Sequence, residues 1–340
     1  MVGLYQQEFN DFYEQKIKPI VAPYEKKRVS LEFKKAAAVA FGFITIMFCG
    51  YLLAKDNFLG CILLVLILIP FLYVWFLEDQ FHKSFKKEIT SKILLLFGNL
   101  YFSDSKNAIP YGDIKAWGLF PSSEGKTDDD VIIGLYKGCN FLINECGLYH
   151  IESRRSSYSG KARLERVYDF SGLIIKIQMK KNFTSQTFVG ISGKCRKPNK
   201  LFQDVLLESI AFMRNHKVYS TDQIEARYLL TTGFMDRLCK LGDNFKYAVA
   251  TVGGGLDSTN QVSSALSLAD YTIGDAKDDA VAVAFVGGFV YLFVPKGNDF
   301  FEVDTKRSLF DAEQYYTIYK QINSILEIID FMKFDKNLGM

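Results

Sequence analysis

Cysteine is sparse and unpatterned in this 340-residue chain: there are six (49, 61, 139, 146, 195 and 239), with no CxxC pair, and two of them lie in apolar runs. That excludes a disulfide framework and suits reduced thiols in a cytosolic compartment. An excess of one charge is also missing. Forty-one Lys and Arg against 38 Asp and Glu leave +3, so no global field announces a nucleic-acid partner. Histidine is limited to His82, His150 and His216, which form no HExxH and no close pair. Cys146 and His150 share a metal ion only if their segment is helical, and its alternation argues for a strand, so no metal ligand is assigned. There is no GxSxG elbow, no serine or cysteine in a nucleophile motif, and no internal repeat. What is plentiful is apolar surface, 49% of residues with 15% aromatic, which excludes disorder and suits a folded chain with a membrane-embedded part.

Two uncharged runs carry most of that surface: "AAAVAFGFITIMFCGYLLA" at 36–54 and "FLGCILLVLILIPFLYVWFL" at 58–77. At about 1.5 Å per helical residue each reaches roughly 30 Å, the thickness of a bilayer's hydrocarbon core. Lys16, Lys18, Lys26, Lys27, Arg28, Lys34 and Lys35 precede the first run. Lys83, Lys86, Lys87 and Lys92 follow the second, whereas the connecting turn holds only Lys55 beside Asp56. The positive-inside rule then puts both flanks in the cytoplasm. Tyr51, Tyr73 and Trp75 fall near span ends, where amphipathic rings settle. Neither run contains an ionisable residue, so the hairpin reads as an anchor with no ion path.

The expected organisation has four parts. An N-terminal cytoplasmic amphipathic helix occupies 1–35, a transmembrane hairpin 36–78, a juxtamembrane helix 79–99 and a cytoplasmic α+β domain 100–340. Phe9, Phe12, Tyr13, Ile17 and Ile20 recur at helical spacing, and Phe81, Phe85, Ile89, Ile93 and Phe97 step every four residues. The two sets are expected to pack on each other as a helical stalk rather than lie flat on headgroups. Beyond residue 100 the period changes to that of antiparallel strands. "LIIKIQMKK" alternates as a half-buried strand, with Leu173, Ile175, Ile177 and Met179 on the buried face and Ile174, Lys176, Gln178 and Lys180 on the other. "DVIIGLYKGCNFLINECGLYHIE" and "VAVAFVGGFVYLFVP" read as hairpins turning at Lys-Gly and Gly-Gly. Helices are expected over "LFQDVLLESIAFMRN", over "STDQIEARYLL" with a capping box of Ser220 and Gln223, over "TGFMDRLCKL", and from an Asp311 cap to the end, burying Ile318, Ile322, Ile325, Ile329 and Met332. Strands in runs, then helices, give α+β and not an alternating sheet.

The segments "KAWGLFP…DDDVIIGLYKGCNFLINE", "VYDFSGLIIKI", "KVYSTDQIEARYLLTTGFMDRLCKL" and "VYLFVPKGNDFFEVD" occur in that order. In this the chain resembles the bacterial family known only as domain of unknown function 3137, most specifically over Lys217 to Leu241. The resemblance implies a basic N-terminal segment, an apolar hairpin and a cytoplasmic portion; it supplies no activity and no catalytic residue. Against that family, 243–279 is an expected insertion.

That insertion contains "GGGLDST", close to the SGGxDS loop with which ATP pyrophosphatases cradle phosphates: Gly253, Gly254, Gly255, Asp257 and Ser258. Gly253 replaces the serine of that pattern, and the remaining chain is too short for the doubly wound sheet behind such a loop, so a glycine-rich surface loop is preferred. Asp222, Glu225 and Arg227 are read as a helix cap and an ordinary ion pair. Two basic loops remain. One carries Arg154, Arg155, Lys161 and Arg163, the other Lys194, Arg196, Lys197 and Lys200. Beside a membrane their alternatives are solvated turns or contacts with anionic headgroups, which attract each nearby cation by about 1 kcal/mol. Cys195, among cations, is a candidate for a lowered thiol pKa. The sequence thus describes a membrane-anchored binding or scaffold module, taking no cofactor, for a protein partner or anionic lipid. The rival is an ATP-using or hydrolytic membrane enzyme working through Gly253 to Thr259.

Overall fold

The computed structural model describes residues 2–53, 68–103, 105, 107–155, 162–180, 182–241, 280–295, 301 and 303–333. The chain divides into two compact units: Met1–Leu96 with Phe301–Tyr319, and Phe97–Phe300 with Lys320–Met340. The fold is mixed α+β, with a long N-terminal helix and one large antiparallel sheet.

The first unit is built from helices. Helix α1 (Val2–Phe12) runs through a π-helical turn at Tyr13–Ile17 into α2 (Lys18–Leu53), and α3 covers Leu68–Leu94. Phe9, Tyr13, Ile17 and Val21 are buried, as are Phe81, Phe85, Ile89 and Ile93. The ring of Tyr24 on α2 lies 6.0 Å from that of Phe81 and 5.2 Å from that of Phe85 on α3. Tyr24, which meets that stripe, lies outside the set from Phe9 to Ile20 expected to pack on it. The N-terminal helix also holds 301–319. The Tyr13 hydroxyl donates to the Phe310 carbonyl (2.8 Å), the Leu309 amide donates to Glu25 (2.9 Å), and Phe9 packs on Tyr316 and Tyr319. A π turn rotates the helix face by an extra residue, which suits the place where a buried tyrosine must reach a carbonyl.

The second unit holds a nine-stranded sheet. Its strands are β1 (Leu100–Ser103), β2 (Gly125–Tyr136), β3 (Cys139–Arg155), β4 (Ala162–Gln178), β5 (Thr187–Ile191), β6 (Gln203–Asp204), β7 (His216–Ser220), β8 (Ala282–Val286) and β9 (Phe289–Pro295), in the spatial order β1-β2-β3-β4-β9-β8-β5-β7-β6. The Lys137-Gly138 turn adopts positive φ at both residues (47° and 83°), the mirror-image turn whose twist matches two paired strands. The Gly287-Gly288 turn joins β8 to β9. One face of the sheet carries an aromatic cluster of Trp117, Phe120, Phe170, Phe188, Phe202 and Phe293, together with Ile174. On the other face Phe285 of β8 meets Phe183 and Phe234. Both faces are covered here, which is why "VAVAFV" is apolar without alternation.

For the same reason the expected half-buried strand is corrected. Ile174, placed on the solvent side, is fully buried along with Leu173, Ile175 and Ile177. The expected helix over 201–215 shrinks to α5 (Ile210–Asn215), after the short helix α4 (Tyr111–Ala116). Phe202 and Val205 are buried beside a two-residue strand that pairs with β7, while Leu206 and Ile210 are exposed. Helix α6 (Gln223–Leu229) is capped by Asp222, whose carboxylate accepts from the Ile224 and Glu225 amides. Ser220 ends β7 instead, bonded to Thr187, so the capping box is not formed. A further helix, α7, covers 232–241 as expected. Helix α8 (Ala312–Lys333) follows Asp311, which accepts from the Glu313 amide. Ile318, Ile322, Ile325 and Ile329 are buried, and the Met332 side chain lies outside the described residues. Asp330 fastens α8 to the β2–β3 turn through Tyr136 (3.0 Å) and Lys137 (2.6 Å).

Candidate functional site

Alanine at 36–38 and 40, followed by long apolar side chains and no charge, favours helix through the end of α2. Among the described residues one helix, Gln7–Leu52, is long and apolar enough to cross a membrane. Its distal part is unusually bare: Phe43 is 67% exposed, Ile44 68% and Met47 78%. The described start of α3 matches it, with Ile69, Leu72, Tyr73 and Trp75 exposed; residues 58–67 of the second apolar run lie outside the described residues. Apolar surface this continuous on two neighbouring helices marks an interaction face.

A charged collar ends that face on both helices. Lys35 donates to Glu78 (2.7 Å), and Glu78 also stands 3.6 Å from His82. This bond holds the Glu78 carboxyl below its ordinary range and raises Lys35, against the opposing effect of partial burial. Beyond the collar the same helices carry the packed aromatic seam. There Tyr24 donates to Glu88, and burial followed by that contact pushes its hydroxyl up to about 12.

The sheet carries a concavity of about 420 Å³ beside the irregular register between Asp128 and Val131. Lys126 reaches Asp128 (2.6 Å), the Ile109 carbonyl (2.6 Å) and Asn144 (2.9 Å), so its charge is satisfied internally. Burial pushes the neighbouring Cys146 thiol up to about 12, which leaves it unreactive at neutral pH. Among the described residues no group of three His, Cys, Asp or Glu side chains is placed to hold a metal ion. Nearby, Asp169 bridges Ser122 (2.7 Å) and His150 (3.0 Å). With the carboxylate in the middle, the imidazole has no hydroxyl to deprotonate, unlike a nucleophilic triad.

The residues singled out by sequence do not converge. Gly253, Gly254, Gly255, Asp257 and Ser258 lie outside the described residues. The first basic loop is largely a strand ladder, with Arg154 facing Arg163 and Arg155 facing Ala162 in register, and Lys161 lies outside the described residues. Lys194, Arg196, Lys197 and Lys200 form an exposed turn region where Lys197 pairs with Asp204 (3.0 Å). Cys195 corrects its expectation: burial raises its thiol pKa despite Lys217. Asp222 caps α6 as read. Glu225 instead accepts the Thr184 (3.0 Å) and Ser185 (2.6 Å) amides, and Arg227 meets Gln223 (3.3 Å), so the expected ion pair is not made. The five described cysteines form no disulfide.

Fold and site together define an α+β protein with an antiparallel sheet and a candidate membrane helix near its N-terminus. Residues 168–252 and 271–334 match the model of the family described as protein of unknown function (DUF3137). The match is narrower than the sequence resemblance, which extended to the 115–145 segment and the apolar hairpin. The glycine loop falls between its two stretches. No curated protein matches. Among solved structures, the crystal structure of the mycobacterial trehalose monomycolate transport factor A, TtfA, aligns at 9% identity and TM-score 0.32, covering 71% of this chain and 94% of that one. A likeness this slight carries no inference about this chain.

Proposed function

We propose that this protein is a membrane-anchored, non-enzymatic binding or scaffold module. In this reading 36–54 and 58–77 cross the bilayer as a hairpin. Both termini and the 100–340 domain face the cytoplasm, and the domain serves a protein partner or anionic headgroups. The observation that supports it best is the Lys35–Glu78 collar. Two helices that are apolar and exposed on one side of that pair carry lysines, glutamates and a buried aromatic seam on the other, where Phe33 and Val29 alone among the large apolar side chains of 21–34 stay exposed. An exposed Phe-rich surface is costly in water and favourable in hydrocarbon, and the pair fixes where one solvent gives way to the other. The flanking lysines supply the orientation. Lys194, Arg196 and Lys200, with the Arg154–Arg155 strand end, are candidates for headgroup contact once the domain is tethered beside the surface.

Protease protection tests the arrangement. In sealed right-side-out vesicles the C-terminal portion should resist added protease and become sensitive on permeabilisation. Cleavage in intact vesicles, or a chain that remains in the soluble fraction after lysis, overturns the reading.

A further inference from the structure

We propose that the groove between α2 and α3, just beyond the collar, is a site for the headgroup of an anionic glycerophospholipid. The inference rests on the membrane reading above and gives it a specific ligand site. The groove encloses about 400 Å³. Its α2 wall is Lys27, Ser30, Leu31 and Lys34, with Lys26 at the rim, and its α3 wall includes Leu77, Phe81 and Ser84. Both walls follow the i, i+3, i+4, i+7 spacing of one helix face. Leu31, Leu77 and Phe81 make its floor apolar, while the lysines and serines provide cations and hydroxyl donors, the partners a phosphodiester needs.

Charge pairing separates these lysines from their neighbours. Arg28 is taken by Glu25, Lys35 by Glu32 and Glu78, Lys18 by Glu14, and Lys83 by Asp79. Among the described residues Lys26, Lys27 and Lys34 form no ion pair, and Lys27 lies 5.1 Å from the Tyr24 ring centre. The nearby carboxylates Glu25, Glu32 and Glu78 are committed to cations and Glu88 accepts the Tyr24 hydroxyl, so against three uncommitted lysines the groove keeps a net positive charge. Its position selects the source of the anion. Lys34 is two residues from the first apolar run and Leu77 ends the second, so the floor continues into the exposed apolar face. A lipid satisfies both parts, phosphate on the lysines and acyl chain along the helices, whereas a free phosphate uses only the first.

Native mass spectrometry of the full chain, purified in neutral detergent and supplied with phosphatidylglycerol, phosphatidylcholine or inorganic phosphate, tests this. Each cation beside an anionic surface is worth about fivefold in affinity, so three are worth roughly a hundredfold. Wild-type protein should retain phosphatidylglycerol over phosphatidylcholine. Lys26→Gln/Lys27→Gln/Lys34→Gln should lose retention at least tenfold, and Lys18→Gln/Lys240→Gln/Arg307→Gln, which removes as much charge from exposed ion pairs, should not. Ser30→Trp fills the groove without removing charge and should show the same loss, which covers a misfolded triple variant. Retention at the wild-type level by the triple variant or by Ser30→Trp, or equal occupancy by inorganic phosphate, overturns the proposal. Carbonate extraction run in parallel separates the two failures. Wild-type chain released from membrane sinks the anchor, whereas retained chain without lipid preference sinks the groove alone.

Discussion

Phe43 and Met47 lie one helical turn apart near the middle of 36–54 and are 67% and 78% exposed. Replacing both with lysine asks which solvent they face. On a water-exposed surface such changes alter stability by no more than about 0.5 kcal/mol each. At the centre of a bilayer-spanning helix, exchanging an apolar side chain for lysine costs about 3 kcal/mol, hence roughly 6 for the pair. At tenfold per 1.4 kcal/mol, insertion of that segment falls by about four orders of magnitude. Ile224 on α6 is the control, since it is 80% exposed on a helix far too short to span a membrane. Flotation of the full chain with phosphatidylcholine vesicles after cell-free synthesis reads the result. In a Leu64→Lys/Leu68→Lys background, where 58–77 cannot hold the chain alone, Phe43→Lys/Met47→Lys should stay at the bottom of the gradient, with Ile224→Lys in that background still floating. A variant carrying Phe43→Lys/Met47→Lys that floats as well as that background would refute the assignment of 36–54 to hydrocarbon.

Three further outcomes are expected. Gly172→Ala puts a Cβ against the Val294 carbonyl oxygen at the β4–β9 pairing, an overpacking of about 1–3 kcal/mol that should lower Tm by roughly 2–10 °C; Gly112→Ala, where nothing lies within 4 Å, should not lower it. Glu225 gains from burial an upward push that its bonds from Ser185 and Thr184 outweigh, so its folded pKa is depressed. Its stabilisation is present above the ordinary carboxyl value near 4.5 and lost as pH falls through the folded value, and Glu225→Gln should flatten that dependence in pH-resolved melting. His150 is raised by its bond to Asp169 and then by Glu152. Its contribution is full below about 6.5 and disappears as pH rises through the folded value. Asp169→Asn should return the His150 titration toward the ordinary range by NMR.

The parts of this fold that sequence disclosed are those set by local chemistry. The four-residue step from Phe81 to Ile93 can only form a buried stripe on a helix, and Lys137-Gly138 can only close a tight hairpin. The errors come where distant segments decide. Phe202 and Val205 fit a helical period, but pairing beside β7 buries them in extended chain and leaves Leu206 and Ile210 exposed. Ile174 looked solvent-facing because alternation assumes one covered face, whereas the Trp117 segment covers the second. Ser220 and Gln223 satisfy a capping formula, yet Asp222 stands two residues closer to the amides that need an acceptor. The groove was illegible for a related reason. Lys26, Lys27 and Lys34 read as one basic flank until the register of α3 supplies an opposite wall and the neighbouring cations find carboxylates.

Tyr13 and its acceptor Phe310 are 297 positions apart, and Glu25 and Leu309 are 284. During synthesis the beginning of the chain therefore waits for its end. At about 5–20 residues per second, the amphipathic face of the first helix has no 301–319 segment to cover it for roughly 15–60 seconds after it leaves the ribosome. A nascent chain truncated before residue 301 should accordingly be a better client for chaperones than the finished protein.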